Sequence, residues 1–205
     1  MQKLKVNEIF NSIQGEGLYI GQPQSFVRLT GCNMRCSWCD TKYAFYKGKD
    51  LTANEILAKL NKFKTRVVCL TGGEPLFQAR AVRELLKLLK KNNYEVHLET
   101  NGSIYDNEIF DNVDFISIDA KPPSSGEKPN INILNKAIKR NHQIKIVVKT
   151  NEDLKFSKNL IKHFPGSIII LQPEGGSLIE SLQNFKHFNS NIRILPQLHK
   201  IIGVK

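Results

Sequence analysis

Acidic residues are in short supply in this 205-residue chain. Asp and Glu number 19 against 30 Lys and Arg, a formal net charge of +11. Long apolar runs are missing as well, which excludes a helix spanning a bilayer. The opening Met1-Gln2-Lys3-Leu4-Lys5 lacks the apolar body of a secretory signal, so a reducing cytoplasm is the expected compartment. Cysteine is scarce, four in all, and three of the four fall in one short run. Three cannot complete a disulfide framework. Structural zinc wants four ligands, often as two pairs, and no second pair exists. Neither an internal repeat nor a linker or low-complexity stretch interrupts residues 1–205, so one domain is expected. The excess positive charge could attract nucleic acid. It is scattered, however, as at Lys87, Lys90 and Lys91, without interleaved aromatics, so direct nucleic-acid binding is not expected.

The cysteine run is Gly31-Cys32-Asn33-Met34-Arg35-Cys36-Ser37-Trp38-Cys39-Asp40-Thr41. Three thiolates on one short loop can hold three corners of a four-iron cluster, whose thiolates usually come in fours. No neighbour is an evident fourth ligand. Cys69 lies in the apolar run Val67-Val68-Cys69-Leu70 and reads as a small buried hydrophobe. One iron is then left open to a small molecule.

Around this loop strands and helices alternate. Strands are expected at residues 24–29, 66–70, 94–98, 115–118, 144–148, 167–171 and 192–195. Helices are expected at 51–64, 77–91, 105–110, 131–140 and 153–163, and from Ser177 to Phe188. Thr52 with Glu55 and Ser177 with Glu180 have the spacing of capping boxes. Ile56, Leu57, Leu60 and Phe63 form an apolar stripe, as do Val82, Leu85, Leu86 and Leu89. Such alternation predicts an α/β fold with a mostly parallel sheet. The length falls short of the roughly 250 residues typical of a full eight-unit barrel. A partial, open TIM-like barrel is therefore expected. The long irregular segment Lys121–Pro129 is expected to be mobile.

Parallel sheets of this kind bind ligands at the carboxyl ends of their strands, and the polar signals fall there. After the cysteine loop come Thr71-Gly72-Gly73-Glu74-Pro75, Glu99-Thr100-Asn101-Gly102, Asp119-Ala120-Lys121, Lys149-Thr150 and Gln172-Pro173-Glu174-Gly175. Paired glycines allow positive φ and close approach of backbone to a ligand, and the Glu74 carboxylate could accept from an ammonium group. A plain turn with Pro75 opening a helix is the alternative.

Cys-x₃-Cys-x₂-Cys after one strand and Gly-Gly-Glu-Pro after the next resemble the radical S-adenosylmethionine superfamily. The resemblance implies a [4Fe-4S] cluster on Cys32, Cys36 and Cys39, whose open iron binds the amino and carboxylate groups of S-adenosylmethionine. It implies reductive cleavage of that cofactor to a 5′-deoxyadenosyl radical. Trp38 to Asp40, Gly73, Glu74, Asp119, Ala120, Lys121, Gln172, Pro173, Glu174 and Gly175 are implied as contacts to S-adenosylmethionine, with Glu99 and Asn101 facing it too.

Within that superfamily, Phe10-Asn11-Ser12-Ile13-Gln14-Gly15-Glu16-Gly17, Phe26-Val27-Arg28-Leu29, Trp38-Cys39-Asp40-Thr41 and Pro196-Gln197-Leu198-His199-Lys200 resemble the 7-carboxy-7-deazaguanine synthase family. The resemblance implies conversion of a carboxytetrahydropterin to a deazaguanine with loss of ammonia, in the queuosine and 7-deazapurine route. It implies substrate contacts at Ile13, Gln14, Gly15, Glu16, Thr71 and His199, with Arg28 on the substrate carboxylate and the terminal carboxylate of Lys205 on the pterin. A guanidinium fork suits a carboxylate. It further implies Mg²⁺ on Thr41 with Asp40 behind it, a homodimer, and an external electron donor such as flavodoxin or ferredoxin. Two other readings stay open: an activase that makes a glycyl radical on a partner protein, which shares the cysteine spacing, and a basic metal-binding module that recognises RNA.

Overall fold

The computed structural model describes residues 2–174 and 191–204. Gly175, Lys205 and the helix expected over 177–188 lie outside the described residues.

The described strands are β1 (Lys3–Ile13), β2 (Pro23–Leu29), β3 (Lys49–Thr52), β4 (Val67–Gly72), β5 (Glu95–Thr100), β6 (Phe115–Asp119), β7 (His142–Val148), β8 (Ile169–Pro173) and β9 (Ile192–Ile194). They form one sheet in the order β3-β1-β2-β4-β5-β6-β7-β8-β9. β1 pairs antiparallel with both β2 and β3, and every pair from β2 to β9 is parallel. The sheet does not close, as an open TIM-like barrel requires. From β4 onward strand order follows chain order, which places one crossover between each pair and the strand carboxyl ends on one rim.

The helices are α1 (Ala53–Leu60), α2 (Ala79–Lys91), α3 (Asn107–Asn112), α4 (Ile131–Ala137), α5 (Asn151–His163) and α6 (Leu198–Ile202). Thr52 closes the expected capping box with Glu55 at the start of α1. Thr150 and Asp153 form a second at the start of α5. These side chains satisfy backbone donors that a helix start leaves open.

Strand residues divide by period two. Val27, Leu29, Val68, Leu70, Val96, Leu98, Ile116, Ile118, Ile144 and Ile146 join one core cluster with Ile56, Leu85, Leu89 and Leu160 of the helices. The alternate positions face the other way: Arg28, Thr71, Glu99, Asp119 and Lys145 line a cavity on the inner face. The sheet is thus apolar toward its helices and polar toward its lumen.

β1 and β3 were not anticipated from the sequence pattern, and β1 has a physical reason. Its register to β2 shifts between Val6 and Glu8. Before the shift Leu4 and Val6 enter the core. After it Phe10 pairs with Phe26 and stacks on it at 5.0 Å, with both rings lining the lumen. A bulge reverses which parity faces inward, so no single alternation runs through the strand.

Candidate active site

The lumen holds a cavity of about 370 Å³. The cysteine loop forms one wall. Cys32, Cys36 and Cys39 are each partly exposed and line the cavity, whereas Cys69 is fully buried. Met34 N–H donates to Cys32 Sγ at 3.4 Å, and the Asn101 amide reaches the same sulfur at 3.7 Å. Donors to sulfur are among a protein's levers on an iron–sulfur cluster. Among the described residues no three His, Cys, Asp or Glu side chains converge on a single metal ion. Three thiols on one wall are the ligand set for a four-iron cluster with one iron left open.

The Gly-Gly turn packs directly against this loop. Gly72 has φ +134°, and a β-carbon there would lie 2.2 Å from the Leu29 carbonyl oxygen. One on Gly73 would lie 2.0 Å from the Gly31 oxygen. Gly73 N donates to Leu29 O at 3.0 Å and Glu74 N to Gly31 O at 2.8 Å. The glycines thus let backbone meet backbone just ahead of Cys32. The Glu74 carboxylate turns inward from the cavity. It is fully buried and does not line the cavity. Its oxygens accept from Leu76 N (3.0 Å), the Thr100 hydroxyl (2.8 Å) and Asn101 N (2.7 Å). Burial pushes its carboxyl up to about 7 against these donors. Glu74 ties the β4 turn to the end of β5.

Another part of the cavity lining is polar. Gln14 donates to Glu99 Oε1 at 3.0 Å, and Thr71 donates to Glu99 Oε2 at 2.8 Å. Gln14 Oε1 in turn accepts from Glu16 N at 3.1 Å. Arg28 is held by Glu8 at 2.9 Å and lies over the Phe10 and Tyr43 rings at 5.5 and 5.9 Å. The aromatic faces fix the plane of its fork. The C-terminal segment closes this side: Leu198 N donates to Gly15 O at 2.8 Å, and His199 lines the cavity.

A buried ionic network crosses the lumen. Lys145 pairs with Glu16 and, at 3.2 Å, with Asp119. Asp119 also takes Lys121 at 2.8 Å, and Glu16 accepts from Gln197 at 2.6 Å. Burial by itself would raise the Glu16 and Asp119 carboxyls, but their lysine partners outweigh it and hold both below the ordinary range. Burial would lower Lys121 and Lys145, but the carboxylates outweigh that too, so both stay ammonium and Lys145 lies well above its ordinary value. Two ammoniums and two carboxylates leave the group neutral overall. Lys121 also lies 5.3 Å from the Trp38 ring centre.

Most residues implied as contacts line this one cavity: Ile13 to Glu16, Arg28, Trp38 to Thr41, Thr71, Gly73, Glu99, Asn101, Asp119, Lys121, Glu174 and His199. Ala120, Gln172 and Pro173 do not line it. The Gln172 carboxamide is nevertheless buried without a hydrogen-bond partner among the described residues. Thr41 opens the short helical turn Lys42–Phe45 without capping it by its side chain, and its hydroxyl lies 3.7 Å from Cys39 Sγ. Sequence reasoning missed Lys145 and Gln197. A lone lysine inside Ile144-Lys145-Ile146-Val147-Val148 was the available signal for the first.

The segment Lys121–Pro129, expected to be mobile, is tied down. Ser125 is buried, and its carbonyl accepts from Ser37 N at 2.9 Å. The expectation followed from its prolines and serines, whose partners lie far away in the chain.

The Radical SAM superfamily model matches residues 26–158. The chain is 40% identical over 201 residues to 7-carboxy-7-deazaguanine synthase of Thermoplasma acidophilum, covering 96% of each. To the Bacillus subtilis protein of the same name it is 34% identical, covering 97% of this chain and 96% of the relative. The crystal structure of QueE from Escherichia coli superposes with a TM-score of 0.73 at 26% identity, over 96% of this chain and 95% of that one. The fold alone is shared with SuiB of Streptococcus suis, at a TM-score of 0.57 and 12% identity over 80% of this chain and 44% of that one. Radical SAM membership implies a four-iron cluster and S-adenosylmethionine, and the three-thiol wall fits that pair. On these likenesses the chain belongs to the radical S-adenosylmethionine superfamily and, within it, to the 7-carboxy-7-deazaguanine synthase family.

Proposed function

We propose that the protein converts 6-carboxy-5,6,7,8-tetrahydropterin to 7-carboxy-7-deazaguanine with release of ammonia, feeding queuosine or related deazapurines. One observation carries this reading: a single cavity joins the three-cysteine wall to Arg28, Gln14, Glu16 and Thr71. When bound, the cluster and S-adenosylmethionine supply abstraction of a hydrogen atom at the pterin C6 position and its later return. The chain's own residues do the rest. The Arg28 fork takes the substrate carboxylate. Glu16, kept anionic by Lys145, accepts from the pterin's amino and ring N–H groups, and a site built on such bonds rejects analogues that lack them. Lys121 and Asp119 face S-adenosylmethionine beside Trp38.

Thr41 holds Mg²⁺ in this proposal, with Asp40 behind it. Its hydroxyl is not spent on capping, and Mg²⁺ accepts few protein oxygens when water and substrate supply the others. The partners proposed are an acidic electron carrier such as flavodoxin or ferredoxin, suited to a chain of net charge +11, and a second copy of the chain. Ile194, Ile201 and Ile202 give exposed apolar surface for such a copy. Among the described residues no helix is long and apolar enough to cross a membrane, and cytoplasm is the compartment proposed.

The test is anaerobic incubation of iron-loaded protein with reductant, S-adenosylmethionine and the carboxytetrahydropterin. Formation of the deazaguanine, with ammonia in equal amount, is expected. Iron-loaded protein that cleaves S-adenosylmethionine but forms no deazaguanine overturns the substrate assignment.

A further inference from the structure

Asp153 lies on α5, outside the cavity, and is completely buried. One of its oxygens serves its own helix, accepting from Lys149 N and Thr150 N at 2.9 Å each. The other reaches a different element and accepts from Ser124 N at 2.9 Å. A helix cap needs only the first set. The second bond seats the turn Pro122–Gly126, which the Ser125 hydroxyl also locks by donating to Pro122 O at 2.6 Å.

That turn grips the cysteine loop. Ser124 O accepts from the Ser37 hydroxyl at 2.7 Å, and Ser125 O from Ser37 N at 2.9 Å. The Trp38 indole donates to the Ser124 hydroxyl at 3.2 Å. Arg35 N donates to Glu127 Oε1 at 2.6 Å. Residues 35, 37 and 38 surround Cys36 and lead to Cys39, so the stretch carrying two of the three thiols hangs on this turn.

We propose that Asp153 is a positioning residue for the iron–sulfur loop, acting through Ser124 and Ser125 on the Cys36–Cys39 segment. An ionised carboxylate suits the task, because three N–H groups converge on it and a carboxylate is an acceptor only. An Asn amide would turn an NH₂ toward at least one of those donors. The proposal rests on the cluster assigned to the three cysteines under Proposed function.

The test uses the full chain reconstituted anaerobically with iron and sulfide. It follows bleaching of the cluster absorbance under an iron chelator, together with the melting temperature. Thr150→Ala serves as the control, since it weakens the α5 cap without touching Ser124. Asp153→Asn is expected to lose its cluster about tenfold faster than wild type, equivalent to about 1.4 kcal/mol and within the range of one hydrogen bond to a charged group. Thr150→Ala is expected to melt earlier yet bleach at the wild-type rate. Equal bleaching of Asp153→Asn and Thr150→Ala, or a wild-type rate in both, overturns the proposal. Should Asp153→Asn fail to fold, Ser124→Ala decides. It removes the hydroxyl that the Trp38 indole and the Asp153 carboxylate both engage and leaves the Ser124 N–H in place; faster bleaching is expected, and an unchanged rate overturns the idea. A wild-type chain that takes up no cluster overturns the function assigned above and this proposal with it.

Discussion

Gly15 and His199 are in contact so close that a β-carbon on Gly15 would stand 2.2 Å from the His199 ring nitrogen Nδ1 and 2.8 Å from its Cβ. The second distance matters more, because a Cβ moves only with its backbone. The end of β1 and the start of α6 are thereby fitted to one another at the cavity wall. Gly15→Ala is expected to push α6 outward and raise the KM for the pterin roughly tenfold, at a stability cost of about 1–3 kcal/mol. Gly166, with open space around it, provides the comparison. Steady-state kinetics of Gly15→Ala and Gly166→Ala check this, and equal KM values would show that the fit is irrelevant to the site.

Removing Cys32, Cys36 or Cys39 one at a time, each as Cys→Ala, is expected to abolish the cluster. Cys69→Ala is expected to keep it, because Cys69 is fully buried and does not line the cavity. Iron and sulfide content of the four purified variants decides the matter. Full iron in any of the first three would sink the ligand assignment.

Lys145→Met leaves Glu16 and Asp119 buried without the ammonium they share. Stripping one partner from a buried pair costs about 3–5 kcal/mol. In the wild type both carboxyls lie below their ordinary values. Their contribution is complete above the ordinary carboxylate pKa and is lost only as pH falls through the depressed values. The deficit of Lys145→Met should therefore be greatest near neutrality and narrow in acid. Urea unfolding at pH 7 and at about pH 2.5, below the ordinary carboxylate range, measures it, and a deficit that is the same at both would count against the pairing.

Glu74 works in the opposite direction. Its carboxyl is raised from 4.5 to about 7, so the fold favours the neutral form. That advantage is complete below pH 4.5 and disappears as pH rises to 7, a change of roughly 3 kcal/mol. Glu74→Gln does not titrate. The margin by which wild type exceeds Glu74→Gln should shrink between pH 4.5 and 8. Parallel unfolding curves for the two proteins across that range, with a constant gap, would contradict the raised value.

Local sequence carried much of the architecture. The periodic stripes of α1 and α2, the Thr52–Glu55 box and the spacing of strands along the chain are short-range patterns, and short-range physics produces them. The open α/β sheet followed from those, as did its polar rim. The cysteine spacing carried the cofactor, because three thiols within seven positions of one another, Cys32 to Cys39, can meet one cluster whatever the rest of the chain does.

Other features depended on partners that sequence does not place. Glu74 sits beside the glycines of a ligand-facing turn, yet its carboxylate points into the protein, since the donors it satisfies belong to residues 100 and 101. β1 escaped notice because a bulge reverses its alternation partway. Lys121–Pro129 has the composition of a free loop but is held by Asp153, 24 residues beyond its end. The sequence by itself determined which residues could bind iron and the alternation of strands and helices from β4 onward. Only the tertiary structure decided that Lys145, Glu16 and Asp119 share one buried network, because pairing of β6 with β7 and the return of β1 bring together charges more than a hundred residues apart, and burial makes those charges depend on one another.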